Sequence, residues 1–287
     1  MKIYYYLCLA LVLMTILFSP IAFSSSEKLS DKKLSDKLGL SYFIFWDGPN
    51  LDRGRDVTTN ELGETNNPIN TYNLISFKYK LSEKYSLDAQ TGTQWFQTRV
   101  PRFYFDRVRV GISGKLWKAN EWKLDGAINS DLPYTGYTAE QRRLIFSPGM
   151  FANLSYTPSS SRFSFWALLQ PRVWFYSDRE AVEPEWIAAN RRPGQKFESI
   201  ISLTPTVNYS INDKFGLRMG VGLDYRKLVE NNWATWIRWA TPVTTGFTYT
   251  YNSSFSTYTY VQTFPFEGGG VQRETSSLGM WITGTIF

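Results

Sequence analysis

An all-β fold, an antiparallel up-and-down transmembrane β-barrel of about twelve strands, is what the sequence predicts, and three observations predict it. From Leu38 onward apolar residues recur with a period of two rather than 3.6. Short polar turns and long polar loops take turns along the chain. Aromatic residues bracket the short turns, and Trp, Tyr and Phe together make up 17% of the 287 residues.

Residues 1–24, MKIYYYLCLALVLMTILFSPIAFS, come first and read differently: one Lys, an apolar stretch from Ile3 to Phe18, a Ser19-Pro20 break, then Ala22 and Ser24. This is the pattern of a secretory signal peptide cut ahead of Ser25. An uncleaved anchor helix is the alternative, but the apolar stretch falls short of the roughly 20 residues a span needs. Cys8 stands near the start of that stretch rather than after a cleavage box, which argues against a lipoprotein. Residues 25–37 repeat LSDK and are expected to form a polar tail, and residues 38–287 form the predicted barrel.

Composition excludes several function classes. No second long apolar run follows the leader, so a bundle of membrane helices is excluded, and the aromatic content excludes disorder. Cys8 is the only Cys and lies in the leader, so the exported chain has no disulfide framework or Cys-based metal site. The chain has no His, which removes the commonest general base and metal ligand. Net charge is +6, without any Lys/Arg-rich run of the kind that reads as a nucleic-acid patch. No catalytic residue, metal site or cofactor is predicted, and no nucleic-acid partner.

The strands are expected near residues 38–46, 70–81, 85–97, 103–117, 121–131, 144–157, 162–176, 196–210, 214–227, 233–251, 255–264 and 276–287. The ninth is the clearest: Phe215, Leu217, Met219, Val221, Leu223 and Tyr225 alternate with Gly216, Arg218, Gly220, Gly222, Asp224 and Arg226. The fifth sets Trp122, Leu124, Gly126 and Ile128 against Lys123, Asp125, Ala127 and Asn129, and the eighth sets Ile201, Leu203, Pro205, Val207 and Tyr209 against Ser202, Thr204, Thr206 and Asn208.

Short turns fall at 82–84, 118–120, 158–161, 211–213 and 252–254, and long loops at 47–68, 132–143, 177–195 and 267–275. Tyr79 and Tyr85, Trp117 and Trp122, Tyr156 and Phe163, Tyr209 and Phe215, and Tyr251 and Phe255 bracket the short turns as an interfacial girdle. Trp46, Trp95, Trp174, Tyr176, Trp233 and Phe264 are expected to form a second belt at the other strand ends. A soluble β-sandwich also clusters aromatics, but gives no reason to place rings beside one set of turns.

The chain ends SSLGMWITGTIF, on Phe287. With that last strand, the meander and the girdle together, the sequence from Leu38 resembles the porin-like outer-membrane β-barrel proteins of Gram-negative bacteria. The resemblance implies residence in the outer membrane, with the lipid bilayer as partner, and reading of Phe287 by the barrel-assembly machinery. Positions 283 and 285, on the same face as Phe287, are Thr where that family usually has apolar residues.

If the greasy face meets lipid, the alternate residues line the lumen. The cationic ones are Lys78, Lys80, Arg107, Arg109, Lys115, Lys123, Arg172, Arg218, Arg226 and Arg238, against the acids Asp88, Asp125, Glu198 and Asp224. Gln90, Gln94, Asn129, Asn153, Gln170 and Asn208 add polarity. A basic lumen concentrates anions, so the expected function is passive diffusion of small hydrophilic, preferably anionic solutes. A plugged barrel acting through its loops is the rival, and an outer-membrane enzyme a weaker one, since no inward Ser has an obvious base beside it. Trp166, Trp174 and Trp236 alternate inward and would be the rings of any sugar platform. Asp47, Asn50 and Asp52 lack the ligand count of a Ca²⁺ site.

Overall fold

The computed structural model describes residues 37–50, 69–97, 102–133, 144–177, 197–228, 236–265 and 276–285. The expected leader, all of the polar tail but Lys37, most of the long loops, Asp52, Trp233 and Phe287 lie outside these residues.

Twelve strands form one closed antiparallel ladder. They are β1 (Leu38–Asn50), β2 (Ile69–Lys80), β3 (Tyr85–Gln97), β4 (Arg102–Ala119), β5 (Trp122–Pro133) and β6 (Leu144–Tyr156). Then come β7 (Phe163–Val173, resumed at Phe175–Tyr176), β8 (Phe197–Ser210), β9 (Phe215–Val221 and Leu223–Leu228), β10 (Trp236–Ala240 and Val243–Asn252), β11 (Phe255–Thr263) and β12 (Ser277–Thr285). Each pairs with its neighbours in sequence, and β12 returns to β1 with Ser41 opposite Thr285 and Asp47 opposite Gly279. Closure leaves no sheet edge, the condition for a sheet to stand in lipid with its backbone groups satisfied.

The breaks in β9 and β10 face each other. Pro242 has no amide to give the ladder, and Gly222, which donates to the Pro242 carbonyl at 2.8 Å, leaves room for the proline ring: a Cβ there would lie 2.9 Å from its Cγ.

Side-chain acceptors close the short turns. The Ser82 hydroxyl accepts from the amides of Lys84 and Tyr85, and the Asn212 carboxamide from those of Lys214 and Phe215 at 2.9 and 2.8 Å. Asn252 accepts from Ser254, and Asn120 adopts φ 51°, a left-handed conformation Asn tolerates.

The two faces of the sheet differ as the alternation predicts. Phe77, Leu87, Val110, Met150, Leu203, Val207, Met219 and Phe247 point away from the barrel, and Phe247 is 65% exposed. Among the described residues the buried apolar side chains are only Ala127, Leu144, Tyr258 and Tyr260. A sandwich would bury its Leu, Val and Phe between two sheets; here most of them face outward, and the inner face is largely polar with one aromatic stretch. The girdle sits on this outer face at the turn end: Trp122 meets Tyr156 at 4.7 Å, Phe163 meets Tyr209 at 4.8 Å, and Phe215 meets Tyr249 at 4.6 Å.

A polar lumen as the candidate functional site

Residues opposite one another across a ladder share a face, so the lumen wall can be followed from strand to strand. Lys78 stands opposite Asp88 and Asp88 opposite Gly111; Gln90 stands opposite Arg109 and Arg109 opposite Asp131; Lys115 stands opposite Asp125 and Asp125 opposite Asn153. Arg172 is in register with Gly149, Gln170 with Ser202, Ser202 with Asp224, and Arg218 with Asn208. Lys80 pairs in register with Ser86, Lys123 with Ser155, and Arg226 with Ile200. All of these take the face opposite the exposed apolar side chains.

Arg107 stands opposite Pro133 on the lumen register, but its side chain lies outside the described residues, as does that of Gln94. Arg238 stands opposite Tyr225, an exposed residue of the outer face, while Ile237 takes the place opposite Arg226. An irregularity between Asp224 and Tyr225 produces this offset, and strict alternation along β10 passes over it.

At the loop end the charges are paired. The Asp131 side chain, 1% exposed, accepts from Arg109 Nε at 2.6 Å and lies 2.9 Å from Arg172 Nη1. Arg172 also donates to the Ser147 carbonyl at 2.6 Å and to the Asn129 carboxamide, and Ser147 Oγ donates to the Val173 carbonyl. Gly149 makes this possible: it lies between Arg172 and Asn129 in the ladder, and a Cβ there would stand 2.9 Å from the guanidinium carbon. Arg226 donates to Asp224 at 3.1 Å and Lys227 to Glu198 at 2.8 Å. Sequence reasoning missed Asp131 and Ser147, although Asp131 continues the inward series of Lys123, Asp125 and Asn129.

A third stretch of wall is aromatic. Tyr258 and Trp281 stand opposite each other, with ring centroids 5.4 Å apart, and Trp281 reaches Phe43 at 5.8 Å and Tyr260 at 5.7 Å. The Arg218 guanidinium lies 4.9 Å from the centre of the Tyr258 ring and donates to Asn208 at 2.6 Å. Trp166 also takes the lumen register, opposite Thr206 and Ser155, whereas Trp174 occupies the break in β7 and the Trp236 side chain lies outside the described residues.

At the turn end a cavity of about 500 Å³ opens beside the β2–β3 turn. Lys37, Lys78, Lys80, Lys84, Lys115 and Lys123 line it, with Glu83, Asp125, Asn153 and Phe151. Lys123 reaches Asp125 at 2.5 Å, and Lys78 lies 3.6 Å from Asp88.

The barrel has counterparts among solved structures. An outer membrane channel from Pseudomonas putida F1 superposes with a TM-score of 0.56 at 10% identity, over 87% of this chain and 95% of that one. The fold is that of the outer-membrane β-barrel channels. Two further barrels of this type are similar at lower scores. The NanC porin has a TM-score of 0.49 at 11% identity, over 85% of this chain and 97% of its own. The KdgM porin, solved in complex with disordered oligogalacturonate, has 0.48 at 8% identity, over 86% and 99%. No family model and no curated protein matches the chain. What is shared with the outer-membrane channels is therefore backbone architecture, and the side chains that line this lumen are the chain's own.

Proposed function

We propose that the protein is a porin-like channel of the outer membrane that passes small hydrophilic solutes by passive diffusion, anions in preference to cations. The observation that carries this reading is the cavity at the turn end, where among the described residues six Lys line the wall with two carboxylates, Asp88 standing beside Lys78. Such a wall raises the local concentration of anions and holds cations off. Among the described residues of the loop end, four cations share three carboxylates in ion pairs, so they shape the wall there while the less-paired Lys of the turn end contribute most to the sign of the field. No cofactor, energy coupling or covalent chemistry enters. The bilayer is held by the outer apolar face, and the last strand is the segment expected to meet the barrel-assembly machinery.

Proteoliposomes loaded with solutes of matched size test this. Release of an anionic dye ahead of a cationic one, abolished when empty liposomes replace proteoliposomes, is the expected result; release of the cation ahead of the anion contradicts it. A second reading, a barrel sealed midway that acts through its loops, draws on the depth at which Tyr260 and Asp131 are buried, 2% and 1% exposed. Retention of both dyes by a correctly folded barrel would select it.

A further inference from the structure

We infer that the turn-end mouth of the barrel is a binding site for small polyvalent phosphates, an inference that rests on the channel reading and names its ligand class. Three features point to it. The first is asymmetry. At the loop end, Arg109 and Arg172 share the carboxylate of Asp131, and Arg226 and Lys227 meet Asp224 and Glu198. At the turn end, Lys37, Lys84 and Lys115 have none among the described residues. The second is donor chemistry. Among the described residues the cavity is lined by Lys and holds no Arg. Ammonium groups bind phosphate as rotatable point charges, with an attraction that grows with the charge of the anion rather than with one fixed geometry, whereas the guanidinium fork takes carboxylate and phosphate alike. Ser82, Ser86 and Ser113 add hydroxyls to the same wall.

The third feature is size and placement. A cavity of about 500 Å³ lies within the size range of small-molecule sites. Lys115 and Lys123 take the lumen register, so the site faces the passage rather than the surrounding lipid. An anion held there by several partly solvated ammonium groups is retained when its charge is multiple and passes quickly when it is single. The site therefore distinguishes phosphates from chloride, and does so from one side of the membrane only.

The test uses the full chain in detergent and inorganic pyrophosphate as probe. Titration calorimetry should show saturable binding that weakens as salt is raised. Lys84→Gln and Lys115→Gln should each weaken binding about threefold to fivefold, the range of a partly solvated ion pair, and Lys227→Gln should leave it unchanged. In a planar bilayer, pyrophosphate added on the turn side should block the chloride current, and on the loop side should not. Absence of saturable binding, equal affinity in wild type and the Lys84→Gln/Lys115→Gln double variant, or equal block from both sides overturns the inference. A normal chloride current without block overturns the site and leaves the channel standing, whereas binding without any current keeps the site and removes the channel.

Discussion

Replacing Asp131 with Ala takes away a carboxylate buried between two guanidinium groups and leaves Arg109 and Arg172 facing each other without that carboxylate. Removing one partner from such a buried cluster costs about 3–5 kcal/mol. Asp125→Ala, whose partner Lys123 has a side chain 43% exposed, should cost at most about 1 kcal/mol. Urea unfolding of the two variants in detergent checks the contrast. Glu121 gives a pH-dependent counterpart outside the strands. Its carboxylate accepts from the Ser159 amide at 2.7 Å and from the Ser159 hydroxyl at 3.0 Å, tying the β4–β5 turn to the β6–β7 turn, and these bonds hold its pKa below the usual carboxylate value. A depressed folded pKa stabilises the fold above the unfolded pKa, and that contribution is lost as pH falls through the folded value. Glu121→Gln should therefore be less stable than wild type near neutrality, with the gap closing in acid. A gap that stays constant in urea unfolding from neutral to acid pH would assign Glu121 no ionic role. At this scale the sequence showed which side of a strand a charge takes, because parity carries that information. It did not show which charges pair, because Asp131 and Arg172 are separated by a strand and meet only over Gly149.

Strands divide by how cleanly their two faces differ. β8 and β9 alternate without ambiguity, so Leu203→Arg on the outer face should cost about 2–4 kcal/mol near the bilayer midplane, and Ser202→Asn on the inner face much less. Equal losses in detergent-to-lipid refolding would mean the faces are misassigned. β1 and β11 carry rings on both faces and β12 carries its one ring, Trp281, inward, so the rule that greasy residues meet lipid fails for Phe43, Tyr258, Tyr260 and Trp281, which take the lumen face. Register with Arg218 and its neighbours decides their side, and register is a property of pairs of strands rather than of one. The same holds for Arg238, displaced by one residue at an irregularity. Gly246 shows how closely β10 and β11 approach: a Cβ there would stand 2.0 Å from the Thr259 carbonyl oxygen, a backbone atom that cannot step aside. Gly246→Ala should consequently prevent closure, visible as loss of the folded, heat-modifiable band in electrophoresis, while Ala at Ser202 should leave that band intact.

Closure is the property of the whole molecule that the sequence made most legible. Alternating turn lengths imply a meander, an even strand count returns both ends to one side, and the girdle of Tyr156, Phe163, Tyr209 and Phe215 marks that side as a membrane interface. Lumen charge was legible as a sum, but its pairing was not: among the described residues Arg109, Arg172, Arg226 and Lys227 at the loop end meet carboxylates, while Lys37, Lys84 and Lys115 at the turn end meet none, a division that appears only when the strands are assembled. The central claim is that this distribution makes the barrel an anion-favouring channel, and reversal potential across a salt gradient in a planar bilayer tests it most directly. The account predicts a potential of the sign that marks anion preference, growing as ionic strength is lowered and screening weakens, and falling toward zero when Lys84 and Lys115 are replaced by Glu. A cation-selective potential, or a folded, inserted barrel that conducts nothing, would contradict it.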